Sequence, residues 1–196
     1  MNDLSAFLGP IHFWLYDKIG NQELLTKAIA DYAFEQGWLS RPDGYTKVLP
    51  PLEAVIDERN IHGWLQNQIT DAETRYARLV TEILAEDGKR IDALCSVAYR
   101  YGKGHALNAE DAETVYKAFE DFFVNGMPCD RVNALTESRP ERVSWEMTQN
   151  IHAQYWNGAS DVYYRLRKRV MDGMLESTPC MITSSDNRIY RIERKS

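Results

Sequence analysis

The stretch Ile11-His12-Phe13-Trp14-Leu15-Tyr16-Asp17-Lys18-Ile19 decides the fold, because it returns fifty residues later as Ile61-His62-Gly63-Trp64-Leu65-Gln66-Asn67-Gln68-Ile69. Five of the nine positions are identical. At about 100° of rotation per residue, the shared Ile, His, Trp, Leu and Ile fall within an arc of about 160°. That is one broad apolar helical face with the histidine at its edge. A looser third copy is Ile151-His152-Ala153-Gln154-Tyr155-Trp156, and the second and third copies share Asn-Ile-His at Asn60 and Asn150. An apolar face that cannot be buried alone requires an equivalent partner, so the first two copies are predicted to pack as a pseudo-symmetric pair.

Working outward from the repeat, helical signals dominate. Gly9-Pro10 reads as an N-cap followed by proline at the first helical position, where its missing N–H costs nothing. Gly20-Asn21 reads as a break, and Glu23 to Gln36 as a second helix ending at Gly37. Pro51 is read as opening the helix of the second copy. Thr70-Asp71-Ala72-Glu73 has the form of a capping box and predicts a bend or restart there. Further helices are predicted for Arg90–Tyr101, for the stretch after Asn108, for Pro140–Trp156 and for Ser160–Leu175. Residues 125–139 read as irregular, with one helical turn at Val132–Leu135. The tail differs: Met181-Ile182-Thr183 and Ile189-Tyr190-Arg191-Ile192 alternate, and Asp186-Asn187 suits a tight turn. The expectation is a mainly α single domain over residues 1–196, a bundle of seven or eight helices. Helical-hairpin repeats are placed at 10–36 and 51–86, a looser copy at 140–176 and a short β-hairpin at 180–193.

Composition bounds the function classes. The 196 residues, 44% hydrophobic and 27% charged, suit one soluble domain. A net charge of −6 argues against nucleic acid as partner, since that binding neutralises phosphates. The basic run Arg165-Leu166-Arg167-Lys168-Arg169 reads as a solvated helix face. No stretch approaches the ~20 apolar residues of a membrane span. The start carries Asp3 and no Lys or Arg before Lys18, unlike a signal peptide. Cys95, Cys129 and Cys180, odd in number and far apart, form no disulfide framework. A cytoplasmic protein is expected.

Two readings of the repeated histidines stand open. In one, each ring is a satisfied core residue of a non-catalytic interaction or scaffold protein, its acidic surface meeting a protein partner. In the other, His12, His62 and His152 converge on a metal ion, Zn or Fe, or on a small-molecule ligand, with Trp14, Trp64 and Trp156 as walls. Glu58, one helical turn before His62, and Cys129, in the loop before the third copy, are the further metal-ligand candidates. Cys129 beside Arg131 is also the one thiol placed to be reactive. There is no HExxH, no CxxC, no G-x-S-x-G, no phosphate-binding glycine loop and no EF-hand. The sequence does not name a reaction, an oligomeric state or whether the protein is an enzyme at all.

Overall fold

The computed structural model describes residues 8–195. Asp3, on which the cytoplasmic expectation leans, lies outside them. Among the described residues there are six helices and four strands: α1 (Pro10–Glu35), α2 (Ile61–Glu86), α3 (Ile91–Lys103), α4 (Ala112–Phe122), β1 (Asn133–Arg139), β2 (Arg142–Met147), α5 (Ala153–Trp156), α6 (Ser160–Met174), β3 (Cys180–Ser185) and β4 (Ile189–Arg194). The fold is mainly helical. No described helix is long and apolar enough to cross a membrane.

The two long helices carry the repeated motif at their starts, but they are single helices of 26 residues each, not helical hairpins. Gly20-Asn21 does not break α1, because tertiary bonds hold it in the helix. The Tyr101 hydroxyl donates to the Asn21 carbonyl at 2.7 Å, and Asn21 Nδ2 donates to the Phe122 carbonyl at 3.2 Å. Thr70 does not restart α2, since Ile69, Ala72 and Glu73 continue one buried stripe through it. Nor does Pro51 open α2. Residues 52–54 make only a short 3₁₀ turn, and the helix waits for Asn60, whose side chain accepts from Gly63 N at 3.1 Å. An Asn cap satisfies an orphan donor, which proline cannot do. The end of α1 is as expected. Gly37 takes φ +71°, and Gly37 N and Trp38 N reach back to the carbonyls of Phe34 and Ala33.

The larger correction lies in the third copy. Pro140 does not open a helix. It sits in the turn between β1 and β2, and Asn133–Arg139 pairs antiparallel with Arg142–Met147. Val143, Trp145 and Met147 are buried on one face of β2, with Ser144 also buried and Arg142 and Glu146 more exposed, and this strand face overrides the isolated helical signals. Within 140–156 only Ala153–Trp156 is helical, Val132–Leu135 is no helical turn, and of the 140–176 copy only its second helix forms as expected, at Ser160–Met174. The predicted terminal hairpin forms with Asp186 and Asn187 both at φ +53°. It joins the first hairpin in one sheet of order β1-β2-β4-β3, in which Trp145 stacks on Tyr190 at 5.2 Å.

The main core joins the helices to the sheet around Trp145, Trp156 and Tyr76. A smaller cluster under the starts of α1 and α2 holds Leu15, Ile19, Ile61 and Leu65. The closest helix contact is α3 on α6, where Gly102 and Gly173 meet the facing backbone directly.

Candidate functional site

The first two histidines meet. His12 Nε2 and His62 Nε2 are 3.3 Å apart, with ring centroids 5.4 Å apart. His12 is buried (6% exposed) and His62 is exposed. The Gly9 amide donates to His12 Nδ1 at 2.9 Å, so the neutral His12 ring carries its proton on Nε2 and donates it to His62 Nε2. Burial, and then the neighbouring His62, hold the His12 pKa below its ordinary value. The same amide bears on metal ligation. A metal on His12 Nε2 would require the proton on Nδ1, against the Gly9 N–H. The pair is built as a directed hydrogen bond.

The other predicted residues scatter. Trp14 donates to Asp121 Oδ1 at 2.9 Å and lies 3.9 Å beneath the Lys18 ammonium, while Trp64 packs against Tyr16. Glu58 is exposed, as is Cys129 in a 3₁₀ turn at Pro128–Asp130. Among the described residues, no three His, Cys, Asp or Glu side chains are grouped to hold a metal ion.

His152 is elsewhere, paired with a residue the sequence reading missed. Its Nδ1 lies 3.1 Å from Glu73 Oε1, and both side chains are 1% exposed. With Nδ1–H donating to the carboxylate, His152 Nε2 is left as a lone pair. The ring is fixed from several directions. Tyr163 stacks on it at 3.8 Å, and Tyr164 meets it edge-on at 5.8 Å. Asn150 sets the turn that carries it, accepting from Ala153 N at 3.1 Å and from the Tyr164 hydroxyl at 2.9 Å. The shared Asn-Ile-His of the second and third copies is thereby explained. At both places the asparagine side chain caps the amide three residues on at 3.1 Å, a local capping device and not a ligand motif.

The dyad borders a cavity of about 230 Å³, whose wall also includes Gln66, Gly126, Gln149 and Tyr155. Gly126 has φ +71°, and a Cβ there would strike the Asp130 carboxylate, which accepts from Met127 N at 2.8 Å. Among the described residues, the buried polar atoms without a partner include Glu73 Oε2 and His152 Nε2 on the cavity wall and, outside that wall, the Tyr76 hydroxyl and Trp156 Nε1. Trp156 and Tyr76 meet edge-on at 5.3 Å. Burial, reinforced by Glu73, pushes the Tyr76 hydroxyl far up, so it stays protonated. Unpaired buried polar atoms each cost about 1–3 kcal/mol, and the two of one ion-forming pair on a cavity wall call for an explanation.

A signal for Glu73 was present. It occupies a position on the α2 stripe Ile61, Leu65, Ile69, Ala72, Tyr76, Val80 that otherwise holds buried apolar or aromatic residues. Arg167 is the parallel case on α6. It stands between Tyr163 and Met171 on the buried stripe, so the basic run is not wholly a solvated face. No protein-family model, curated protein or solved structure matches the chain.

Proposed function

We propose that the protein binds a small polar molecule in the cleft between α2 and the turn leading into α5, and that His152, oriented by Glu73, accepts a proton from it. The observation that carries this is the buried Glu73–His152 pair. Its Oε2 and Nε2 lack partners among the described residues, beside a cavity of about 230 Å³. A carboxylate on Nδ1 fixes the tautomer that leaves Nε2 basic, the arrangement by which histidine serves as a general base. Drug-sized ligands occupy about 300–1,000 Å³, so this occupant is smaller. Gln66, Gln149 and Gln154 supply hydrogen-bonding groups on the wall and Tyr155 an aromatic one. Of the two ligand classes the sequence leaves open, this cleft supports the small molecule. The same reading treats α1 and α2 as copies of one packing unit, supported by their equal length of 26 residues and their common starting motif.

The test compares wild type with the double variant Glu73→Met, His152→Leu in a thermal-shift panel of small amides, amino acids and hydroxy compounds. Replacing a buried ionic pair by apolar residues of similar volume is often neutral or stabilising. The variant is therefore expected to fold and to lose shifts that the wild type shows. Shifts retained by the variant, or absent from both proteins, would return the pair to a purely structural role.

A further inference from the structure

Besides His12, the buried Lys, Arg, His, Asp and Glu side chains among the described residues are Lys18, Glu23, Glu73, His152 and Arg167. Two of them have found partners that account for the buried carboxylates. Glu23 holds Arg75 through both oxygens, and Glu73 holds His152. That leaves two cations, Lys18 at 3% exposed and Arg167 at 5%, and among the described residues neither forms an ion pair. Arg167 donates to Asn125 Oδ1 at 2.7 Å, but its Nε is buried with no partner. The Lys18 ammonium lies over the face of Trp14.

Both cations line one small cavity of about 20 Å³, together with Gln22, Tyr76 and Tyr163. Lys18 and Asn125 also line an adjoining cavity of about 140 Å³. Among the described residues, the unpartnered atoms here are Gln22 Nε2, Tyr76 hydroxyl, Asn125 Nδ2 and Arg167 Nε, each able to donate, and Asn133 Oδ1, an acceptor on the wall of the larger cavity. A buried cation without a counter-charge is strongly unfavourable, and here two share a wall lined with donors that have nothing to donate to. Glu120 and Asp121 act on Lys18, and Glu120 also on Arg167, from beyond ion-pair distance. Asp121 is engaged by Trp14 and Lys117, and Glu120 by Asn133 at 2.6 Å.

We infer that Lys18 and Arg167 form a binding site for a carboxylate, whose charged end lies between them and whose short organic remainder occupies the 140 Å³ cavity. The guanidinium's planar fork matches a carboxylate, and the ammonium adds a point charge. Glu120, in the wall of the larger cavity, weighs against a dianion such as sulfate or hydrogen phosphate. The inference does not rest on the proton-accepting role of His152, because none of its residues belongs to that dyad.

The experiment measures melting of the full chain in sodium acetate, formate, chloride and sulfate at one ionic strength. Variants are Lys18→Met, Arg167→Met and the Glu73→Met, His152→Leu protein. Acetate and formate are expected to raise the melting temperature saturably, by about 5–10 °C at a hundredfold excess over the dissociation constant. Chloride and sulfate should not. The effect should vanish in both cation variants and survive in the dyad variant, which separates this site from the cleft reading. Lys18→Met removes an uncompensated charge at similar volume, so it folds even if Arg167→Met does not, and it decides the matter alone. Equal melting in all four salts, a chloride shift as large as that of acetate, or a full acetate shift in Lys18→Met would each overturn the inference.

Discussion

Two glycines in helices make the sharpest test of how this molecule is packed, because the same substitution should act in opposite directions. A Cβ on Gly173 of α6 would come within 2.7 Å of Lys103 N and closer still to the Tyr99 carbonyl oxygen. Both are backbone atoms of α3, and the facing Gly102 has the mirror problem, 2.8 Å from the Val170 carbonyl carbon. No flexible side chain can give way, so α3 and α6 must separate. Overpacking costs about 1–3 kcal/mol, and contact against rigid backbone belongs at the upper end. Alanine returns about 1 kcal/mol of helix propensity. Gly173→Ala should therefore lose about 2 kcal/mol, or about 4–8 °C in melting temperature for a chain of this length. Gly20 lies within α1, and its added Cβ would meet only Leu49 Cδ1 at an ordinary 4.0 Å. Gly20→Ala should gain about 0.5–1 kcal/mol. Denaturant titration at 25 °C measures both. If Gly173→Ala matches or exceeds wild type, the close crossing of α3 and α6, and with it the placement of Arg167 and Tyr163, is wrong.

Asn60→Ala should cost about 1 kcal/mol as the loss of one cap. Asn150→Ala should cost more, about 2 kcal/mol, because the Tyr164 hydroxyl also loses its acceptor; equal costs by denaturation would refute the double role. For His12, whose folded pKa lies below the unfolded value of about 6.5, the unfolded chain binds more protons between the two. Stability should therefore fall as pH drops from about 7.5 through the folded pKa, and His12→Gln should flatten that part of a denaturation-versus-pH series. Lys18 is held down at about 8, first by burial, against 10.5 unfolded. Carrying its charge at neutral pH thus costs about 3 kcal/mol. The folded state sheds that proton first as pH rises past 8, so Lys18→Met should be the more stable protein at pH 7 and lose the advantage toward pH 10, and a constant difference across that range would contradict the burial of the charge.

The helical start at Pro10, the Gly37 stop and the Asp186-Asn187 hairpin were legible because each is decided by neighbours within a few residues. Gly20, Thr70 and Pro140 misled because local signals there compete with tertiary ones. Asn21 is kept helical by Tyr101 and Phe122, eighty and more residues away, and Pro140 closes a hairpin whose inward residues are covered by helices and by β4. The site divides in the same way. His152 and Trp156 were visible as repeated rarities, and the meeting of His12 with His62 was legible as one of the two open readings of the repeated motif. Their convergence with Glu58, Cys129 and the three tryptophans required spatial neighbours that the spacing did not specify. Glu73, Lys18 and Arg167 were readable only as charges out of place on apolar stripes, a pattern that hydropathy averaging conceals.

The strand order has a consequence for the growing chain. β2 is flanked by β1, its immediate neighbour in sequence, and by β4, which is translated only after α5, α6 and β3. Until synthesis reaches Arg194, the β2 edge of the first hairpin is open as well as its β1 edge, and the face of Trp145 that Tyr190 will cover is bare. β4 is the last of these elements to be made, and an unpaired edge beside an exposed aromatic is a site for intermolecular pairing. The helical part, with α1 on α2, is free to form early, and the sheet closes late. Slow or interrupted translation after residue 147 would therefore expose this protein to aggregation more than a pause of equal length anywhere in α1 or α2.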